Sequence, residues 1–276
     1  MDWRGRVALI TGASSGIGRH LALALAERGC LVVGVARREE RLRELAEACA
    51  RLAPGSSWLA GDLGAPGVAE RVVSETLARH GRLDVLVNNA ARPKHKHATE
   101  LAPEEIEEVL RVNLLAPVRT TLAALPAMLR QGGGTIVNVS SFAAEVVPPR
   151  EAIYAASKRA LNAFSEGLWS DLAGSNVHVA LVIPGAIDTE IWEKLDTPSP
   201  FRGRRHPPRV VTDAILEAVE KRRFTVTAPR WSPQLVLARW LAFLCPPLLR
   251  AGLRRLDPVP PEVFERAAAG GESRGT

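Results

Sequence analysis

Val7-Ala8-Leu9-Ile10-Thr11-Gly12-Ala13-Ser14-Ser15-Gly16-Ile17-Gly18 begins as a short apolar run and passes through three glycines into the helical pattern Gly18 to Arg28. A strand that turns on glycines into a helix is the first half of a βαβ unit. Gly12 permits the tight turn, Gly16 lets backbone N–H groups approach a pyrophosphate, and Gly18 allows the helix to sit close to the strand. Ser14, Ser15 and Ile17 lie inside the same turn and belong to the same candidate cofactor-binding set. The spacing is not Gly-x-Gly-x-x-Gly, although the physics is shared. A glycine-rich turn that binds nothing is the alternative, and the strand-turn-helix context argues against it.

Outward from this turn, apolar β-type runs alternate with amphipathic stretches. Strands are expected over 7–11, 31–36, 57–60, 85–88, 135–140 and 177–183, and helices over 18–28, 39–51, 68–80, 104–131 and 154–173. Pro117 and Pro126 interrupt the fourth of those helices. Val32-Val33, Val85-Leu86-Val87 and Ile136-Val137 are unbroken apolar pairs or triplets, as expected of parallel strands covered on both faces. Repeated strand-then-helix units imply right-handed crossovers and an α/β, doubly wound parallel sheet. We expect one catalytic domain over 1–229, with a substrate loop at about 188–210. An apolar and basic C-terminal helical extension over 230–266 and a disordered tail over 267–276 should follow.

Dinucleotide sites commonly place an acid about 20 residues beyond the glycine turn, against the ribose 2′-hydroxyl. Here the second strand ends in Arg37-Arg38 with no acid at its tip. Guanidinium suits bidentate phosphate binding, so the replacement argues for a 2′-phosphate and NADP(H) over NAD(H). The bland reading is a charged helix start in which Arg37 pairs with Glu40. Asp62, just after the third strand, stands where a carboxylate accepts from an adenine amine, and Asn88-Asn89-Ala90 closes the fourth strand beside the switch point.

Composition narrows the function classes. Hydrophobic residues at 46% and charged residues at 24% are ordinary for a globular protein, and 276 residues bury a substantial core. The formal charge of +6 does not point to nucleic acid, because most basic residues sit beside acids and no nucleic-acid motif accompanies them. The uncompensated ones come late, at Arg202, Arg204, Arg205 and Arg209, then Arg250, Arg254 and Arg255. Those suit anionic substrates or lipid headgroups. Cys30, Cys49 and Cys245 are odd in number and in no metal spacing, and read as small hydrophobes in a reducing compartment. The first apolar run is too short for a signal peptide, so a cytoplasmic location is expected. His95 and His97 flank Lys96 in a polar loop, with no further ligand cluster to support a metal site.

The chain has one tyrosine, Tyr154, and Lys158 follows it four residues later. On a helix these positions share a face, and a nearby ammonium favours phenolate, which would lower the phenol from about 10 and make it a usable general acid. Thr11 to Gly18, Asp62-Leu63, Asn88-Asn89-Ala90, Asn113, Ser141, Tyr154-x-x-x-Lys158 and Pro184-Gly185 with Thr189 together resemble the classical short-chain dehydrogenase/reductase family. The resemblance spans about 6–191, with Ala91 in place of the last glycine of the Asn-Asn-Ala-Gly segment. It implies a Rossmann-type fold and a catalytic set of Asn113, Ser141, Tyr154 and Lys158, Ser141 being favoured over its neighbour Ser140. Tyr154 would protonate a carbonyl oxygen, Ser141 would polarise it, Lys158 would lower the tyrosine pKa and hold the nicotinamide ribose, and Asn113 would place a water. Leu63, Asn89, Ala90, Pro184, Gly185, Ile187 and Thr189 join the implied cofactor set, and homo-oligomers are common in the family.

After an expected last helix (211–222) and short strand (224–227), residues 231–249 are apolar and aromatic, interrupted by Arg239 and Pro246-Pro247, and a basic segment reaches Arg255. Ser232 should cap a helix starting at Pro233. The run falls short of the ~20 residues of a membrane span. It suits a helix lying in a membrane interface, and equally a cover over the substrate mouth or a subunit interface. Trp192 lines a substrate pocket or packs under a mobile cover over 198–208. The expected activity is therefore carbonyl–alcohol interconversion on a hydrophobic small molecule. A 3-oxoacyl-thioester reductase and a non-catalytic NADP(H)-binding regulator are the alternatives.

Overall fold

The computed structural model describes residues 2–271 apart from Pro200, Trp231, Asp257 and Val259. Seven parallel strands form one sheet: β1 (Val7–Thr11), β2 (Leu31–Ala36), β3 (Ser57–Ala60), β4 (Val85–Asn88), β5 (Gly134–Val139), β6 (Val177–Pro184) and β7 (Thr225–Ala228). Their order is β3-β2-β1-β4-β5-β6-β7. The order reverses between β1 and β4, and the crevice at the carboxyl ends of those two strands is where open α/β sheets bind ligands.

Alternation along β1 explains the layering. Ala8 and Ile10 join an apolar cluster with Leu21 and Leu25 of α1 (Gly16–Ala26), Leu42 and Leu45 of α2 (Glu39–Leu52) and Ile215 of the helix that precedes β7. Val7 and Leu9 join a second cluster with Val72 and Val73 of α3 (Val68–His80) and with Met128. Each strand residue therefore meets helix whichever way it points, which is why the strands read as unbroken apolar runs.

Two of the expected interruptions differ in effect. Residues 103–130 divide into α4 (Pro103–Leu110), a π-helical turn (Arg111–Leu115) and α5 (Ala116–Arg130). Pro117 is the second residue of α5, just past the π turn, whereas Pro126 is carried inside α5 without a break. Downstream lie α6 (Ala152–Asp171), α7 (Arg209–Glu220), and then α8 (Pro233–Leu244), α9 (Pro246–Leu256) and α10 (Pro261–Gly271). Ser232 caps α8, its hydroxyl accepting from the Leu235 N–H at 3.4 Å. The tail expectation is corrected for 267–271, which continue α10, and 272–276 lie outside the described residues.

Candidate active site

The glycine turn is shaped by contacts that exclude a side chain. Gly12 has φ +69°, and a Cβ there would stand 2.9 Å from Ala90 Cα. A Cβ on Gly18 would lie 2.4 Å from the Gly12 carbonyl oxygen, which is closer than any real contact. Asn89 braces the turn from β4: its Nδ2 donates to the Thr11 carbonyl at 2.9 Å, and its backbone N–H donates to Thr11 Oγ1 at 2.9 Å. Asn89 thus holds the cradle, and its amide is committed to backbone. Ser15 stands at the N-cap of α1 with extended backbone, and its side chain makes no capping bond. The first N–H groups of α1 are therefore available to an anion, which is what a pyrophosphate needs.

Beside the cradle, Leu63 is buried and Asp62 is exposed at the rim of an open groove of about 440 Å³ that Gly64, Arg111 and Val112 also line. Asp62 Oδ1 accepts from the Gly64 N–H at 2.9 Å, leaving its other oxygen for a ligand amine. Arg37 is exposed and forms no ion pair among the described residues. The alternative Arg37–Glu40 pairing is not found among the described residues. Arg38 donates to Glu190 at 2.9 Å and to Ser14 Oγ at 3.3 Å, and Arg41 also binds Glu190. A cradle that admits no Cβ, open helix N–H groups and guanidinium groups beside Ser14 fit a nicotinamide dinucleotide.

The reacting groups gather at the ends of β5 and β6. Ser140 is buried, with its hydroxyl on Asn162 Oδ1 at 2.5 Å, so it is a packing residue. Ser141, the next residue, is half-buried and starts a 3-10 turn (Phe142–Ala144), its Oγ accepting from the Ala143 N–H at 3.1 Å. Tyr154 reaches Ser141 from the first turn of α6. Lys158, one turn on, is fully buried and donates to the Val139 carbonyl at 2.9 Å.

The expected lowering of the tyrosine pKa is not seen. Burial, then the Glu151 charge, push the Tyr154 phenol up to about 12, and the Ser141 hydroxyl opposes them only in part. Burial also pushes Lys158 down to about 8. Loss of water outweighs the proximity of the lysine, whose ammonium is directed at the strand-end carbonyl.

Asn113 is fully buried in the π turn. Its Oδ1 accepts from the Arg92 N–H at 2.7 Å, while Nδ2 donates to the Arg92 carbonyl and to Ser157 Oγ, both at 3.0 Å. The side chain is thus fully engaged. Pro117, four residues later, has no N–H to donate to the Asn113 carbonyl, as an α-helical turn would require.

Pro184 ends β6, and the Gly185 N–H donates to Ala228 O at 2.8 Å. Ile187 is buried, and Thr189 packs on Gly16 before a second 3-10 turn (Glu190–Lys194). Trp192 donates to the Ile187 carbonyl at 2.7 Å and stacks between Phe201 and Arg205. Its indole is a packing anchor of the loop, and the loop carries defined contacts rather than hanging free.

Four polar residues important to the site escaped the sequence reading. Glu151 lies beside the phenol, and burial pushes its carboxyl up to about 7. Glu190 and Lys194 approach the second-strand arginines from far along the chain. Glu145, just past the Ser141 turn, is gripped by both ends of the Arg239 guanidinium, at 2.5 and 2.7 Å. Arg239 was noticed only as a break in an apolar run. Spacing carries no signal for such long-range pairs.

Residues 6–199 match the family model described as short chain dehydrogenase. The 11-beta-hydroxysteroid dehydrogenase 1A of Arabidopsis thaliana is 38% identical over 274 residues, covering 91% of this chain and 75% of its own. Among solved structures, a short-chain dehydrogenase/reductase from Burkholderia phymatum in complex with NAD superposes with a TM-score of 0.79 at 25% identity, over 87% of this chain and 94% of that one. A short-chain dehydrogenase from Sphingobium yanoikuyae in complex with NADPH gives 0.76 at 29% identity, over 93% and 97%. The match runs from the first strand past Thr189 and the relatives cover nearly the whole chain, so this protein belongs to the short-chain dehydrogenase/reductase family of oxidoreductases.

Proposed function

We propose that the protein is an NADP(H)-dependent oxidoreductase that interconverts a carbonyl and a primary or secondary alcohol on a hydrophobic small molecule. The observation that carries this reading is the meeting of Ser141 and Tyr154 over a buried Lys158, beside a glycine cradle. When bound, the reduced coenzyme supplies the hydride. Ser141 Oγ–H orients and polarises the carbonyl oxygen, and Tyr154 Oη–H gives it a proton. The phenol, pushed up to about 12 by burial and the Glu151 charge, carries its proton at neutral pH and gives it up less readily than a free phenol. Lys158 would hold the nicotinamide ribose, and Asn113 would place a water that links Lys158 to solvent.

NADP(H) is preferred because Arg37 has no ion-pair partner among the described residues and Arg38 sits against the glycine turn. Coenzyme titration tests this: Arg37→Asp should weaken NADPH binding about tenfold and leave NADH unchanged. Equal weakening of both would refute the assignment. The hydrophobic substrate is supported by the apolar extension beside the site and by relatives named as 11-beta-hydroxysteroid dehydrogenases. An NADPH-consumption screen over bulky ketones, long-chain aldehydes and 3-oxoacyl thioesters would identify it, and turnover confined to small polar carbonyls would overturn this class.

Two surfaces extend the proposal. Leu237, Trp240 and Leu244 lie at i, i+3 and i+7 on the outer face of α8 with Phe243 beside them, and the basic α9 follows. We assign this face to peripheral contact with an anionic lipid surface. Flotation with anionic liposomes checks it, and no binding by the intact chain would sink it. Leu115 at the end of the π turn and Leu122 and Leu129 on α5 are exposed at a heptad spacing, with Trp169 exposed on α6, and these support a homo-oligomer. Light scattering reads that state directly. Free thiols at Cys30, Cys49 and Cys245 suit a cytoplasmic setting.

A further inference from the structure

Glu190 is the meeting point of an unbalanced set of charges. Arg38 reaches its carboxylate at 2.9 Å, Arg41 binds the other oxygen, and Lys194 stands 4.0 Å away. Arg37, beside them at the end of β2, has no carboxylate of its own among the described residues. Three cations therefore share one acid, and Arg37 is a fourth close enough to act on Lys194. The Lys194 ammonium registers the crowding: it is held below its ordinary value by partial desolvation and then by the charges of Arg38, Arg37 and Arg41, with Glu190 opposing. Like charges drawn together this way mark a place for an anion, and a dianionic phosphate would offset more of the repulsion than one carboxylate does.

The cations come from two distant stretches. Arg37 and Arg38 link β2 to α2 and Arg41 lies in the first turn of α2, while Glu190 and Lys194 belong to the 3-10 turn that follows Thr189. Thr189 packs against Gly16, so this turn rests on the glycine cradle itself. We propose that Lys194 is a specificity residue for the 2′-phosphate of the coenzyme and that Glu190 occupies the arginines in its place until the phosphate arrives. The proposal rests on the NADP(H) reading. Arrival of the phosphate replaces the Glu190 pairing and recruits Lys194, which holds the substrate loop against the cradle. Coenzyme choice and loop position are thereby coupled.

Calorimetric titration of the full chain with 2′,5′-ADP, 5′-AMP and inorganic phosphate separates the possibilities. Lys194→Gln should lower 2′,5′-ADP affinity about tenfold and Lys194→Arg should retain it. Glu190→Gln should raise that affinity several-fold by removing the internal competitor. Binding of 5′-AMP should be unchanged in all three, whereas general damage to the fold would weaken both nucleotides together. In a second measurement, 2′,5′-ADP should slow tryptic cleavage at the exposed Arg202 and Arg204 more than 5′-AMP does. Wild type that binds 2′,5′-ADP no better than 5′-AMP would defeat the NADP(H) reading itself. A preserved preference that neither Lys194→Gln nor Glu190→Gln alters would overturn this inference alone. Inorganic phosphate binding as tightly as 2′,5′-ADP would reduce the cluster to a general anion site and overturn it too.

Discussion

The sheet region and the C-terminal helices solve burial in opposite ways. Along β1 every residue is buried, and alternate side chains enter one apolar cluster or the other. On α8 the large apolar residues face outward, with Leu237, Trp240, Phe243 and Leu244 all more than half exposed. Its one charged residue, Arg239, turns inward to Glu145, to Thr227 Oγ1 and over the Phe142 ring. A helix arranged this way is poorly matched to water and well matched to a protein wall on one side and an apolar medium on the other. The sheet builds the site, and α8 is tied through Arg239 to Glu145, just past the Ser141 turn.

The largest expected effect lies wholly in the sheet region. Tyr154→Phe should cut kcat by roughly 10²- to 10⁴-fold while coenzyme affinity, read by fluorescence titration, stays within about threefold. Retained turnover would remove the assigned proton donor.

A smaller effect would show whether the two regions are separate. Arg239 clamps the turn that begins at Ser141 from one side, and Arg159 holds the Ala144 carbonyl at 2.8 Å from the other. Arg239→Ala should lower kcat about tenfold with unchanged NADPH binding. Exchanging the charges, Arg239→Glu with Glu145→Arg, should recover part of it. If kcat does not move, α8 is an appendage and the comparison fails.

Next comes a dependence on pH. Burial raises the Glu151 carboxyl from 4.5 to about 7. A raised acid contributes stability that is fully present below the unfolded value and lost as pH rises through the folded one. Glu151→Gln removes that loss. The melting temperature of the variant relative to wild type should therefore climb between about pH 4.5 and 7 and level off above. A difference that is constant with pH would mean that Glu151 is ordinary and solvated.

The smallest effect on catalysis belongs to the outer face of α8. Trp240→Glu with Leu237→Glu should abolish liposome binding and leave kcat on a water-soluble ketone within about twofold. A collapse of kcat would place this face against the protein instead.

Legibility followed the range of the interaction. The glycine turn was readable because a positive φ at Gly12 and the close approach at Gly18 admit only glycine. β1, β2, β3, β4 and α3 begin and end where apolar patterning places them. Asn113 and Ser141 were readable only through resemblance, and the commitment of the Asn113 amide to Arg92 and Ser157 was not readable at all. The direction of the Tyr154 shift was misread, because four residues of spacing report proximity and say nothing of how much water is lost. Arg239 appeared as an interruption, since its partner lies 94 positions away.

The sequence by itself determined the alternation of strands and helices, the glycine cradle, the tyrosine-lysine pair and the arginines at the end of β2. All are local, resting on backbone geometry or on periods of a few residues. Tertiary structure alone decided which cations surround Glu190, which way Arg239 points and whether burial or charge sets the tyrosine pKa. Those outcomes depend on desolvation and on pairs far apart in the chain, and they exist only once the sheet has brought its strand ends together.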